Sequence, residues 1–167
     1  ESARQNRGGT QRNQQRDIDA LVKLVDAITN DLPTTEPVIQ TAWESNLFVK
    51  GAGTSTYIPY TLAIDRSELS GDGAAVYVRV GNKENLTAAQ RMIRDSTRRD
   101  RARGGATYVW TDVIFTAVPE DGRVSRAMSL DPGTYDVFVA VKNPTPAQGD
   151  APNADVGLFR FDLTVPD

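Results

Sequence analysis

The sequence contains no cysteine and no histidine. That removes disulfides, thiol and zinc-finger chemistry, HExxH metal sites, and the Ser-His-Asp and Cys-His pairs. No apolar stretch approaches the roughly 18 residues a membrane helix needs, so the chain reads as soluble. Aromatic residues are only 7% of 167 positions, enough for the core of one domain but not for several. What remains as a catalytic inventory is carboxylates. Paired carboxylates can hydrolyse glycosides, but no motif selects one pair among 22 acidic residues, and the chain is read as not an enzyme, with no cofactor.

Charge is present but segregated. The net charge of −3 hides a +3 stretch over residues 1–16 (Arg4, Arg7, Arg12 and Arg16 against Glu1) and a +4 stretch over residues 82–106. The second holds Lys83, Arg91, Arg94, Arg98, Arg99, Arg101 and Arg103 against three acids, so the rest of the chain carries −10. A basic appendage on an acidic body suits protein partners of opposite sign, either a second copy or a different subunit. Nucleic acid does not fit: neither basic stretch interleaves aromatics for base stacking, and the acidic remainder repels phosphate. The four N-terminal arginines and Arg91, Arg94, Arg98, Arg99, Arg101 and Arg103 are therefore the candidate partner-binding residues.

Residues 1–16 lack any large apolar side chain and cannot alone offset the entropy of ordering, so a disordered arm is expected there. Over residues 17–29, Ile18, Leu21, Val22, Val25 and Ile28 recur at helical spacing, with Asp17 placed to act as N-cap. This amphipathic helix packs on its own domain or docks on another subunit. Pro33 and Pro37 then end it and open a linker. The first Glu, in place of Met, fits a mature chain that has lost a signal peptide, or a trimmed piece.

Beyond Trp43 the hydrophobic period falls to two, and seven strands are expected at residues 47–50, 57–65, 75–80, 107–118, 124–130, 134–141 and 156–165. Residues 107–118, apolar on both faces, read as a central strand under a second layer. Turn sequences such as Ser70-Gly71-Asp72-Gly73, Glu120-Asp121-Gly122 and Asp131-Pro132-Gly133 separate the strands. The pattern predicts a mainly β, antiparallel, immunoglobulin-like sandwich over residues 42–167, preceded by the arm, helix and linker of residues 1–41. Residues 82–106 form a basic insertion with a helix-friendly AAQRMIRDSTRRDRAR. Residues 143–155 read as an exposed Pro-rich loop.

Three weaker signals bear on ligands. Gly51-Ala52-Gly53 opens like GxGxxG but meets Thr56 and a strand instead of a helix, so it reads as a loop. Loop acids (Asp65, Glu68, Asp72, Glu120, Asp121, Asp131, Asp150, Asp155) can gather at the ends of a sandwich and hold Ca²⁺, though Asp in turns serves its own backbone as often. Trp43, Tyr57, Tyr77, Tyr108 and Trp110 are the aromatics from which a sugar-stacking platform could be built. Asn85-Leu86-Thr87 is a formal glycosylation sequon.

In WESNLFVKG, YIPYTLAID, AVYVRV, GTYDVFVAVK and the closing FDLTVPD, residues 42–167 resemble exported bacterial proteins of uncharacterised function built on an immunoglobulin-like sandwich. The resemblance implies an extracytoplasmic location, periplasmic or secreted, and supplies no catalytic residues. Together these features lead us to expect a non-catalytic structural or accessory subunit of a larger assembly, a filament or a complex held to a membrane through a partner. The alternative is a carbohydrate- or Ca²⁺-binding module.

Overall fold

A computed structural model of the protein describes residues 2–34, 36–44, 47–82, 108–146 and 155–167, with side chains from Gln11 onward. One helix, α1 (Ser2–Thr29), precedes β1 (Thr41–Glu44), β2 (Val49–Lys50), β3 (Thr56–Ile64), β4 (Gly73–Asn82), β5 (Tyr108–Ala117), β6 (Arg123–Leu130), β7 (Gly133–Lys142) and β8 (Val156–Val165). The expected basic insertion, apart from Asn82, and most of the Pro-rich loop lie outside the described residues.

The strands form two antiparallel sheets. In one, β3 pairs along one edge with β1 and β2 in turn and along the other with β6; in the second the order is β5-β4-β7-β8. Alternation explains the packing between them. Ile58, Tyr60, Leu62 and Ile64 of β3 face Val76, Val78 and Val80 of β4 and Val137, Val139 and Val141 of β7, giving one continuous core. A mainly β sandwich is thus present. The strand Thr41–Glu44 was not among the seven expected: four residues give too little alternation to read, yet Trp43 drives it inward, stacking on Tyr60 with ring centroids 4.2 Å apart.

The corners are closed by specific contacts. Gly122, at φ 73°, lies where a Cβ would collide with the Ile64 carbonyl, so the expected Glu120-Asp121-Gly122 turn needs glycine at its third position. Tyr135, at the start of β7, turns its hydroxyl back to donate to the Asp131 carbonyl (2.6 Å) across the β6–β7 connection.

The second sheet is buried on both faces, but the strands at its centre are β4 and β7, not residues 107–118. β5 is an edge strand. It reads as two-sided because Ile114 and Trp110 point into the sandwich while Val113 and Phe115 lie under α1. Leu21 and Val25, both fully buried, press on Ala75, Tyr77, Phe138 and Ala140. Fully burying side chains of this kind stabilises by about 1.5–3 kcal/mol each. The molecule therefore has three layers: helix, sheet, sheet.

Two expectations about the N-terminal region are corrected. The helix begins at Ser2, so residues 2–16 are helical where a disordered arm was expected, and Asp17 is an interior helical residue and not an N-cap. Arg and Gln are good helix formers, and the docked segment supplies the nucleus from which the polar stretch propagates. At the other end Asp31 takes a left-handed φ of 54°. The Asp31 N–H donates to Ile28 O (3.1 Å) and the Leu32 N–H to Ala27 O (2.7 Å), a Schellman closure that stops the helix before Pro33.

Candidate interaction site

Two charged pairs hold α1 to the sheet. The buried Asp17 carboxylate accepts from Lys142 Nζ, from the Thr145 N–H (2.9 Å) and from Thr145 Oγ1 (2.6 Å). Nine residues along, Asp26 Oδ1 accepts from Arg79 Nη1 at 2.6 Å. Arg79 is only 3% exposed. Its Nη1 also donates to the Tyr108 hydroxyl (3.0 Å) and its Nε to the Tyr77 hydroxyl (2.8 Å), with the guanidinium 4.1 Å above the Tyr108 ring. Burial alone would pull the Arg79 pKa down; the hydrogen bonds to Asp26 and Tyr77 outweigh it, and the net shift is upward. Burial pushes the Tyr108 phenol up as well, against the Arg79 charge.

The spacing of these pairs fits the sheet. Lys142 stands opposite Ala75 in register, four residues from Arg79 on β4, about 13 Å at strand rise. Asp17 and Asp26 are also about 13 Å apart at helical rise. A helix sliding by one residue would strand both acids against apolar surface, so the pairs set register as much as they bind. Between them, small residues admit the helix closely: Ala75 opposite Lys142, and Ala140 opposite Tyr77.

Near the C-terminal end of α1 the same outer face carries another charged group. Asp136 stands opposite Asp162 on β8, and its Oδ2 accepts from Arg160 Nη2 at 3.1 Å. Asp136 is 3% exposed, and burial, reinforced by the hydrogen-bonded Asp162 carboxyl, raises its pKa despite Arg160.

The candidate partner-binding arginines separate into three groups. Arg12 and Arg16 are exposed on α1, one turn apart, and make no ion pair among the described residues. Arg4 and Arg7 lie on the N-terminal part of the same helix, which continues for eleven residues beyond Gln14 and Asn13, where Asn13 Nδ2 donates to Pro146 O (3.2 Å). Arg91, Arg94, Arg98, Arg99, Arg101 and Arg103 lie outside the described residues.

Three segments meet where α1 leaves the sheet. The Ile64 N–H donates to Gly122 O (2.8 Å) and the Val118 N–H to Asp72 O (2.6 Å), so residues 118–122 span the connection 65–72. Ser70 N–H donates to Asn143 Oδ1 (2.8 Å), tying both to the end of β7. This end of the sandwich gathers Asp65, Glu68, Asp72, Glu120 and Asp121 against Arg66 and Arg123. Asp65 accepts from Ser67 and Asp121 from the Arg123 N–H, the local turn roles weighed against Ca²⁺ in the sequence. Among the described residues no group of three or more acidic side chains is arranged to hold a metal ion.

Of the aromatics considered for sugar stacking, Tyr57 alone is exposed (48%). Trp43 and Trp110 pack on Tyr60 in the core, and Tyr77 and Tyr108 enclose Arg79. Sequence reasoning missed Asp17, Arg79 and Lys142 as interacting charges. The available signal was an arginine in VYVRV and a lysine ending GTYDVFVAVK, both on the strand face opposite the valines. No family model matches the sequence, nor does any curated protein.

Proposed function

We propose that this chain is a non-catalytic structural or accessory subunit whose N-terminal helix carries its interaction surface to another protein outside the cytoplasm. The observation that carries the reading is the division of α1. From Asn13 onward it is fixed to its own sheet, and N-terminal to that it continues as a helical stem carrying Arg4, Arg7 and exposed Arg12, with Arg16 exposed one turn inside the fixed part. A pinned helix gives the stem a defined direction, which lowers the entropy lost on docking. The helix is thus not itself a free docking element; only its stem is. What supports the immunoglobulin-like reading of the sandwich is the hydroxyl of Tyr135 closing the β6–β7 corner, an arrangement such folds reuse.

The competing reading, a carbohydrate-binding module, rests on exposed Tyr57 of β3 and its neighbour Val49 on the edge strand β2. Light scattering of the purified chain at low and high salt separates the two. Assembly through the stem gives oligomers or partner capture that salt weakens and that deletion of residues 1–11 abolishes. A monomer indifferent to salt, retarded on a polysaccharide matrix in a way that Tyr57→Ala relieves, overturns the proposal.

A further inference from the structure

The partner's chemistry can be taken one step further, resting on the assembly reading above. The basic stem and the acidic end belong to the same pole of the molecule. Asp17 meets the last residue of β7, and Asp26 meets the middle of β4, so α1 runs off the sheet at that pole. Asn13 bonds Pro146, beyond the strand end, and the eleven residues from Ser2 to Arg12 then extend about 17 Å past it. A rigid helix held by Asp17 cannot bend back to bring this stem over its own acidic loops.

The stem is also costly as built. Gly8 and Gly9 lie within it, each about 1 kcal/mol worse than Ala in a helix. At its base Arg12 is repelled by Arg16, one turn into the fixed part of the helix. Opposing carboxylates from outside would offset that repulsion.

The geometry points to a second copy of this chain as the occupant, in a reciprocal dimer. A two-fold axis beyond the acidic pole and perpendicular to α1 lays the stem of each copy along the Asp65, Asp72, Glu120 and Asp121 loops of the other. Both halves of the complementary charge are on one patch, which is what a closed, isologous pair requires. The attraction is between exposed charges, so it sets orientation and salt dependence, with affinity to match: weak, and strongest at low ionic strength.

A charge exchange tests this. One variant carries Arg12→Glu and Arg16→Glu, the other Glu120→Arg and Asp121→Arg; all four positions are exposed, and unchanged melting temperatures confirm that both fold. Sedimentation velocity at about 20 mM salt is expected to show a wild-type dimer, loss of at least about tenfold in association for each variant alone, and recovery when the two are mixed. Because the chain has no cysteine, Arg12→Cys in one copy and Glu120→Cys in another supply a second readout, a disulfide formed only between different chains. If the wild type associates at low salt but the mixed variants stay apart and no disulfide forms, the reciprocal dimer is wrong and the assembly reading stands on another partner. A wild type that stays monomeric at low salt and whose stem deletion changes no partner capture sinks both.

Discussion

The two faces of the second sheet are both buried, and they are built on different principles. On β4 and β7 its inner face presents Val76, Val78, Val80, Val137, Val139 and Val141 to the first sheet and no charged side chain; the charged group on that face is Asp112 of the edge strand β5, paired with Arg126 of β6 at 2.9 Å. Its outer face, on the same two strands, presents Ala75, Tyr77, Arg79, Phe138, Ala140 and Lys142 to α1, with Asp136 on the same face beside Arg160 of β8. Valines on a twisted sheet pack well at several offsets, and the position of one sheet on the other is held by the connections that cross between them, β3 to β4, β5 to β6 and β6 to β7. The helix α1 is joined to the sandwich only by the linker that follows it. The buried pair of Asp17 with Lys142, and the pair of buried Arg79 with half-exposed Asp26, take that role, at a desolvation cost an apolar interface would not incur.

The strongest way to break this comparison is to compare Asp17→Ala with Leu62→Ala. Removing one partner of a buried pair costs about 3–5 kcal/mol when the other must stay buried. Lys142, however, regains water if α1 lifts, so the loss cannot exceed the docking free energy of the helix. Asp17→Ala is therefore expected to raise hydrogen exchange throughout α1 and to open the linker that follows it, exposed at residues 30–34 and 36–38, to proteases, while the sandwich amides stay protected. Leu62→Ala, in the inner core, is expected to cost about 3 kcal/mol and to lower protection everywhere. If Asp17→Ala lowers sandwich protection as much as helix protection, the two faces act as one cooperative unit and the distinction fails.

A smaller effect sharpens the claim about register. Replacing the pair together, Asp17→Leu with Lys142→Met, removes both charges, turns the partly exposed Thr145 donors over to water, and is expected to leave stability within about 1.5 kcal/mol of wild type, in contrast to either single change. The difference should appear as heterogeneity: more than one set of amide resonances for residues 18–28, as the helix samples neighbouring offsets. A single set identical to wild type would show that apolar packing fixes the register unaided.

Asp136 supplies a pH test of the same face. Its folded pKa is raised by burial and by Asp162, so between the ordinary aspartate range and that raised value the native state binds more protons than the unfolded one. Its contribution is favourable below that window and is lost as pH rises through it. Asp136→Asn is expected to remove this fall, so that the difference in melting temperature between variant and wild type grows with pH across the window. A difference that shrinks as pH rises would mean that Arg160 dominates and the carboxylate is the stabilised form.

Most of the sandwich was legible because alternation is a local signal: Ile58 to Ile64, Val76 to Val80 and the closing strand each declare their faces within a few residues. Position in a sheet is not local. β5 looks central because two different layers cover its two faces, and only the pairing of β4 with β7 shows that it stands at an edge. The helical start at Ser2 was hidden because residues 2–16 have no apolar period; what extends the helix there is propagation from a docked segment. Asp17 was read by its position in a capping pattern, and nothing nearby in sequence points to Lys142 and Thr145, 125 and 128 residues away. The segregation of charge was visible from the composition. That the basic stem and the acidic loops share one pole was not, since it depends on where α1 leaves the sheet.

The smallest expected effect lies at the helix end distal to that pole, where a local change can strengthen docking without touching either charged pair. Asp31 holds a left-handed φ of 54°, a conformation that an L side chain adopts at a cost and that glycine adopts freely. Its backbone N–H closes the helix on Ile28, and Leu32 closes it on Ala27, so the backbone geometry, not the carboxylate, does the capping. Asp31→Gly relieves the side-chain strain but adds freedom to the unfolded chain, and removes a negative charge from the negative end of the helix dipole. The balance is expected to stabilise by about 0.5–1 kcal/mol. Thermal unfolding checks the sign, and hydrogen exchange checks the place: slower exchange confined to the last turns of α1 fits a helix whose docking is a separable equilibrium. The same gain spread through the sandwich amides would mean that helix and sandwich open together.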